Sequence, residues 1–399
     1  MDLSDSAEDE AFRAEIRGWL DEHLTGRWAE LKGLGGPGKD HEAIEERLAW
    51  NCHLAEHGWT GVSWPTEHGG RGLTLWQQVI FHEEYARSGA PARVNHLGEE
   101  LLGPTLMAFG RPEQQQRFLP KILAVEELWA QGYSEPGAGS DLANVQTRAR
   151  LTGDEWVLDG QKVWTSNAHF SQWLFVLARS EPGSQRHHGL SFLLVPIDQE
   201  GVEVRPIEQL TGGSEFNEVF LTGAHTPADH VVGEPGDGWR VAMALLGFER
   251  GVSVLGQVVG FTRELDRVVA VARDNGAIAD PVLRDRLAKL KVELEVLRWQ
   301  ALRGLAQDST SGAPGSASIF KLAWAGWHRR LGEVAMDVRG LDGLVARPPT
   351  ADAPYQLDDL QRLFLFSRAD TIYGGSDEVQ RTILAERVLG LPREPKGDR

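Results

Sequence analysis

Two short segments, far apart in the chain, carry the residue types best suited to holding a flat or anionic ligand. They are Tyr133–Asp141 (YSEPGAGSD) and Ile372–Ser376 (IYGGS). In the first, Gly137 and Gly139 permit positive φ and present no side chain that would keep a ligand away, while serine hydroxyls donate hydrogen bonds. The second precedes a charged, periodic run that predicts a helix, and N–H groups at a helix start suit a phosphate or an oxyanion. Either segment alone is equally typical of an ordinary turn.

The elements that would position these segments follow from the spacing of apolar residues. Steps of three and four residues predict N-terminal helices over 11–24, 44–57, 75–88 and 97–109. Trp156–Trp164 has apolar residues on both sides of Asp159-Gly160, which predicts a β-hairpin, and short strand patterns follow it. Helical spacing returns after residue 238, with a long apolar stripe from Leu283 to Leu305. The predicted domains are therefore helical (1–127), β (128–235) and helical (236–399).

Composition narrows the class of protein. The chain has 399 residues, with 58 acidic against 41 basic side chains and a formal charge of -17, which disfavours nucleic acid and anionic membranes as partners. Cys52 is the single cysteine, so no intramolecular disulfide can form, and a reducing compartment is expected. The polar start and the lack of an apolar run of ~20 residues predict a cytoplasmic protein without a membrane span.

No metal site is predicted from the 13 histidines. His187 and His188 fall in a polar stretch and are expected to be exposed in a turn. No His-x-x-x-His pair is expected on a helix, and that four-residue spacing is what a metal site on one helix face requires.

Four sequence blocks resemble the acyl-CoA dehydrogenase family, in order and in spacing. The blocks are Gln131–Asp141 (QGYSEPGAGSD), Lys162–Asn167 (KVWTSN), Gly247–Gly251 (GFERG) and Ile372–Leu391 (IYGGSDEVQRTILAERVLGL). The resemblance implies an α+β fold with an N-terminal α-helical domain, a middle β-barrel or sandwich domain and a C-terminal four-helix bundle. It also implies FAD as cofactor, because no side chain can accept the hydride that acyl-CoA dehydrogenation releases.

The same resemblance implies which residues line the flavin. Ser134 and Ser166 would hydrogen-bond the isoalloxazine ring, and Trp164 would pack beside it. The remaining residues that the resemblance places around the cofactor are Gln131, Tyr133, Gly139, Ser140 and Ser376. Ser140, with Arg250 and Tyr373, would also contact the substrate.

The catalytic base departs from the best-known pattern of the family. Many members carry a glutamate after the tyrosine of the C-terminal loop, whereas this chain reads Tyr373-Gly374-Gly375. One subgroup instead places the glutamate on a helix directly before an arginine, and Glu249-Arg250 stands at that point. Glu249 is therefore expected to be the base, with the Gly374 N–H donating to the thioester oxygen.

A second departure concerns the segments that, in homotetrameric members, reach the FAD of a neighbouring subunit. Here they read Arg273-Asp274-Asn275-Gly276 and Asp337–Gly343, so the aromatic and part of the glycine pattern are missing. Arg273, Asp337 and Gly340 are the residues at which a cofactor contact is still expected. This resembles actinobacterial steroid side-chain enzymes, in which two different subunits share flavin sites, so the predicted assembly is a homotetramer or an α2β2 heterotetramer with a paralogous subunit.

The predicted activity is FAD-dependent dehydrogenation of an acyl-CoA thioester to the trans-2-enoyl-CoA, with an electron-transfer flavoprotein as electron acceptor. Two alternatives stay open at this point. One is an acyl-CoA oxidase or flavin monooxygenase on the same fold, and the other is a non-catalytic subunit of a heterotetrameric dehydrogenase.

Overall fold

The computed structural model describes residues 5–248, 253–308, 315–348 and 355–393. These residues divide into two compact units. The first contains the chain up to residue 78, residues 88–209 and residues 213–248. The second contains residues 79–87, 210–212 and the described residues from 253 onward.

Helices dominate the chain before residue 128. They are α1 (Ala7–His23), α2 (Ile44–Glu56), α3 (Leu75–Ser88), a π-helical stretch (Leu97–Leu102) that continues into α4 (Gly103–Phe109), and α5 (Pro112–Leu123). Local sequence explains where they begin. Ser6 and Asp9 form a capping box at α1, and proline occupies the first turn of α5. The helices expected at 11–24, 44–57, 75–88 and 97–109 are confirmed.

Eight strands follow and form one sheet. They are β1 (Trp129–Gly132), β2 (Arg148–Thr152), β3 (Glu155–Ser166), β4 (Trp173–Arg179), β5 (Leu190–Pro196), β6 (Val202–Ile207), β7 (Phe216–Pro227) and β8 (Val231–Val232). The strand order is β6-β7-β3-β2-β4-β5-β8, and β1 pairs in parallel with β4. Strands β4 and β5 are buried on both faces.

Side chains of β4 alternate between two cores. Phe175 and Leu177 pack with the helices of this unit, including α6 (Gly238–Phe248), whereas Leu174 and Val176 pack with Leu158 of β3 and with residues of β7. The single sheet therefore packs against helices on one face of β4 and against its own strands on the other face. The period of two along a strand is what sends neighbouring residues to opposite cores.

The predicted hairpin at Asp159-Gly160 was wrong. Those residues lie inside the continuous strand β3, where the pairing with β7 shifts register, and the turn that joins β2 to β3 is at Gly153-Asp154 instead. Gly160 is required by packing, because a Cβ there would lie 2.7 Å from the Thr147 Cα. The carboxylate of Asp159 accepts the Gly223 N–H at 2.9 Å. A close strand approach and a register shift thus explain the Asp-Gly pair.

A loop of the helical region is bonded to the segment before β7. Glu215 is buried, and its two carboxylate oxygens accept the N–H groups of Gly38 and Asp40 at 3.1 and 3.0 Å. Arg47, also buried, donates to the Asp40 carbonyl at 2.8 Å. The first unit therefore joins the N-terminal helices and the sheet through buried charge-assisted hydrogen bonds.

The second unit is helical. Its main elements are α7 (Ser253–Asp274), α8 (Pro281–Asp308), α9 (Ser316–Arg339), α10 (Asp359–Phe366), α11 (Asp377–Ile383) and a π-helical turn (Leu384–Val388). Leu287, Leu290, Leu294 and Leu297 of the predicted stripe are buried, and Trp327 of α9 donates to the Leu290 carbonyl at 2.9 Å. Among the described residues, no helix combines the length and apolar character needed to cross a membrane.

Candidate functional site

Hydrogen bonds to the Glu135 carboxylate hold the loop after β1 in place. Glu135 is buried and accepts the N–H groups of Gln146 and Thr147 at 2.6 and 2.9 Å. Its backbone exchanges two hydrogen bonds with Ala138, which closes the turn. Because Glu135 supports the turn, Gly139 and Ser140 remain exposed above it.

Gly137 and Gly139 do not use the freedom that the sequence suggested. Neither has a positive φ. A Cβ at either position would meet no atom within 4 Å. What the two glycines contribute is an unobstructed surface on which a ligand can lie against the backbone.

Lys162 joins this loop to β3 and β4. Its side chain is fully buried, and Nζ donates to Glu135 at 2.8 Å, to the Tyr133 carbonyl at 3.1 Å and to the Leu177 carbonyl at 2.7 Å. Burial lowers the pKa of Lys162 to about 8, although Glu135 opposes that shift. Burial alone would raise the pKa of Glu135, but the Lys162 charge holds it below its usual range. All three ammonium donors have acceptors, so the lysine is structural.

One backbone hydrogen bond joins the segments that bear Ser134 and Trp164. The Val163 N–H donates to the Ser134 carbonyl at 2.9 Å. Directly after it, Trp164 has φ 58° within the register shift between β3 and β7, and its side chain is 58% exposed. The ring meets Phe216 edge-on at 6.1 Å. A bulky residue with positive φ and an exposed ring is typical of a ligand-contacting position.

The end of β3 holds two buried polar atoms that lack a hydrogen-bond partner within the described part of the chain. They are Oγ1 of Thr165 and Oδ1 of Asn167, which lie on either side of the half-buried Ser166. Both atoms are enclosed by protein, so a ligand on this surface would meet the half-buried Ser166 rather than either of them. Gln131 of β1 is also half-buried.

The ring of Tyr133 does not face the open side of the loop. It is buried and meets Phe175 and Phe192 edge-on at 6.0 and 6.2 Å. Tyr133 therefore contributes to the core, and its carbonyl holds Lys162.

A cavity of about 310 Å³ lies beside the same loop. Its walls are formed by Glu135–Gly137, Asn144, Gln146, Thr147, Gly160 and Gln161. Trp164 and Ser166 are not among these lining residues, so the exposed indole marks a separate surface.

The second unit holds the Tyr373-Gly374 loop. Gly374 and Gly375 have φ 63° and 85°, a backbone conformation that favours glycine. The buried Gln380 amide donates weakly to both of their carbonyls, at 3.3 and 3.4 Å. Gly374 is exposed, and its N–H has no acceptor among the described residues. An N–H held this way can donate to an oxyanion.

Tyr373 is oriented by a buried charged network. Its hydroxyl donates to Asp370 at 2.7 Å, and the His328 imidazole lies between Asp370 at 2.5 Å and Glu264 at 2.8 Å. Burial would lower the pKa of His328, but the two carboxylates raise it to about 10. Lys321 donates to the Asp370 carbonyl. A charged imidazole on α9 thus connects α7 to the loop.

Ser376 begins α11. Its Oγ accepts the Val379 N–H at 3.3 Å, so the hydroxyl caps the helix. The hydroxyl oxygen can still take part in a second hydrogen bond, so this capping role leaves the expected cofactor contact untested.

Arg273, Asp337 and Gly340 lie near the ends of α7 and α9. The Asn275 amide donates to the Val338 carbonyl at 2.8 Å, which brings these two helix ends together. Arg273 and Asp337 are exposed, and Asp337 pairs with Arg286 at 2.6 Å. Glu249 and Arg250 lie outside the described residues.

The residue pairs Glu135–Lys162 and His328–Asp370 were missed by the sequence analysis. Both are long-range contacts between residues of ordinary type, so no local spacing indicates them. His53 and His57 are different, because they lie one turn apart at the end of α2 and the expectation that no such helical pair exists was wrong. Their four-residue spacing on a predicted helix was the signal that could have found them.

Family models and solved structures match this chain along nearly its whole length. The acyl-CoA dehydrogenase N-terminal, middle and C-terminal domain models match residues 6–126, 130–223 and 236–389. Acyl-CoA dehydrogenase IpdE1 of Mycobacterium tuberculosis is 61% identical over 388 residues, which cover 97% of this chain and 99% of that protein. The structure named Tcur3481-Tcur3483 steroid ACAD has a TM-score of 0.83 at 32% identity, covering 99% of this chain and 100% of that one. The ChsE4-ChsE5 complex from Mycobacterium tuberculosis has a TM-score of 0.82 at 28% identity, with the same coverage.

Proposed function

This chain belongs to the acyl-CoA dehydrogenase family, and from that premise we propose that it converts an acyl-CoA thioester to the trans-2-enoyl-CoA. The observation that carries the proposal is the Val163–Ser134 backbone hydrogen bond at 2.9 Å, because it joins the segment that bears Ser134 to the segment that bears the exposed Trp164 indole. Such a surface suits a large planar ring system that needs both stacking and hydrogen bonds.

The residues on this surface have the chemistry that an isoalloxazine requires. Trp164 offers a flat exposed face, and Ser134 and Ser166 offer hydroxyl donors. FAD, when bound, supplies the acceptor for the hydride that leaves the β carbon, and its electrons pass to an electron-transfer flavoprotein.

The protein groups that act on the substrate are assigned as follows. Glu249 removes the α proton, and the Gly374 N–H donates to the thioester oxygen on which negative charge develops. Arg250, Ser140 and Tyr373 contact the acyl-CoA. Two observations support the Gly374 role. Its N–H has no acceptor among the described residues, and the Gln380 amide donates to the carbonyls of Gly374 and Gly375.

A paralogous subunit is the proposed partner. Two of the solved structures similar to this chain are named for pairs of different proteins, Tcur3481-Tcur3483 and ChsE4-ChsE5. The segments around Arg273 and Asp337 depart from those of homotetrameric members. Asp337 is engaged by Arg286 of its own chain, which favours a structural use of that carboxylate and a partner that completes part of the flavin site.

A steroid-derived acyl chain is the proposed substrate class, because one similar structure is named a steroid ACAD. A CoA thioester with a short acyl group on a fused-ring system is therefore the first substrate to test. A straight-chain fatty acyl-CoA of similar size serves as the comparison.

The visible spectrum tests the activity and the partner together. The protein is purified alone and, separately, after co-expression with a paralogous subunit from the same genome, and each sample is mixed anaerobically with the two thioesters. Bound flavin that bleaches with the fused-ring thioester supports the proposal. Bound flavin that neither thioester bleaches contradicts it, and rapid reoxidation by oxygen favours an oxidase. Colourless protein in both preparations favours the non-catalytic subunit.

A further inference from the structure

Three histidines converge where α1 and α2 end. His23 is the last residue of α1, His53 lies in the last turn of α2, and His57 is the C-cap of that helix. One ring nitrogen from each lies within 4.8 Å of the other two. The ring centroids are separated by 5.0 Å for His23 and His53, 4.7 Å for His23 and His57, and 4.4 Å for His53 and His57.

One ring nitrogen of each histidine faces the other two rings. His57 Nδ1 lies 2.8 Å from the His53 carbonyl, to which it can only donate, so its Nε2 keeps a lone pair. His53 Nε2 faces His23 Nδ1 at 2.9 Å, while the other nitrogen of His53 lies 3.8 Å from the Glu56 carboxylate. A carbonyl behind a ligating imidazole, as His57 has, is the usual arrangement at a metal site, and the Glu56 carboxylate lies in the corresponding direction from His53.

Aromatic side chains limit the motion of the rings. Trp19 stacks on His23 with centroids 4.4 Å apart and an interplanar angle of 16°, and Trp28 stacks on His53 at 5.7 Å and 26°. A cluster held between indoles loses little side-chain entropy when it binds an ion.

The electrostatic surroundings are mixed. The carboxyl ends of α1 and α2 meet here, and the helix dipole places partial negative charge at such ends. Glu56 adds a carboxylate, whereas the Arg27 guanidinium, which stacks 4.0 Å from the Trp28 ring, opposes a cation.

We propose that His23, His53 and His57 form a binding site for one divalent transition-metal ion of the zinc class, with water as a further ligand. Imidazole nitrogens lie ~2.0–2.1 Å from zinc, so three tetrahedral ligands stand about 3.4 Å apart. Small side-chain rotations reach that spacing from the present arrangement. The bound ion would join the C-terminal ends of α1 and α2.

Titration with Zn²⁺ alone tests the site. Tag-free protein, first treated with chelator and dialysed, is titrated by isothermal calorimetry, and its thermal unfolding is followed with and without Zn²⁺. The expected result is saturable binding of one ion per chain with a raised unfolding temperature. The Zn²⁺ X-ray absorption spectrum should show three imidazole ligands.

Variants separate this site from general binding by surface histidines. His57→Gln should weaken Zn²⁺ binding by more than the ~10-fold that loss of an outer partner costs at a metal site. The control is the double variant His187→Gln and His188→Gln, an exposed pair with ring centroids 4.5 Å apart, which should bind Zn²⁺ as the unchanged protein does.

Three results would overturn the proposal. They are non-saturable binding, binding that survives His57→Gln but is lost in the control, and an absorption spectrum with fewer than two imidazoles. Because His57 is exposed, its variant should fold, and far-ultraviolet circular dichroism verifies that. The absorption spectrum needs no variant, so it decides the question even if a variant fails to fold.

Discussion

The Lys162 ammonium donates to the Glu135 carboxylate over 2.8 Å at a place where both side chains are buried. The carboxylate also accepts two backbone N–H groups, and the ammonium also donates to two carbonyls. The pair therefore fixes the loop that bears Ser134 to the strand that bears Trp164. Loss of this pair should therefore lower the stability of the domain and also change the shape of the proposed flavin surface.

Replacing Lys162 with methionine should lower the free energy of unfolding by about 3 kcal/mol, because a buried carboxylate loses its charged partner. Urea unfolding measures this change. Lys289→Met is the matched control, since Lys289 pairs with Asp285 at 2.7 Å on the surface. The control should change stability by no more than ~0.5 kcal/mol. Equal effects of the two variants would contradict the structural role of Lys162.

Trp164→Ala should weaken FAD binding by up to about tenfold, since aromatic stacking contributes ~0.5–1.5 kcal/mol. Stability should change little, because the side chain is largely exposed. Trp299→Ala is the control, as Trp299 on α8 is also 58% exposed. Equilibrium dialysis of FAD measures the effect, and unchanged affinity in Trp164→Ala would remove the indole from the flavin site.

The stability that His328 contributes should fall as pH rises from 6.5 towards 10. The folded protein holds the proton up to about pH 10, whereas the unfolded chain releases it near 6.5, so folding binds a proton over this interval. The measurement is the difference in unfolding free energy between the unchanged protein and His328→Gln across that range. Lys162, with its pKa lowered to about 8, changes stability in the opposite direction but cancels in the difference. A difference independent of pH would contradict the charged imidazole.

Glu249→Gln should reduce turnover by about 10²–10⁴-fold while FAD stays bound, which is the range expected for removing a general base. Steady-state kinetics with an artificial electron acceptor and the flavin absorbance of the same sample measure both quantities. Glu234→Gln is the control, because it removes an exposed carboxylate of the first unit and should leave turnover unchanged. Full activity of Glu249→Gln would assign the proton transfer to another group.

Apolar spacing predicted the helices well, because one face of each helix packs in a core. The helix expected over 75–88 is α3 to the residue. The Asp159-Gly160 prediction failed since the same dipeptide serves a turn or a register shift, and only the approach of Thr147 to Gly160 decides between them.

Candidate site residues that lie within one sequence motif could be predicted, whereas the contacts between distant segments could not. Ser134, Trp164 and Gly374 were expected from motifs and lie on exposed or half-buried surfaces, while their contacts with a ligand stay a prediction. The contacts that hold them, from Lys162 and from His328, join residues 27 and 42 positions away in the chain. Contacts at such distances depend on the folded topology, which no local pattern encodes.

The Glu215 carboxylate, which binds the N–H groups of Gly38 and Asp40, also bears on how the protein can be dissected. A fragment that ends at residue 127 would expose both N–H groups to solvent, and a fragment that begins at 128 would leave a buried carboxylate with two donors fewer. Two regions matched by separate family models therefore share buried hydrogen bonds within one compact unit, and a cut between them is expected to destabilise both fragments.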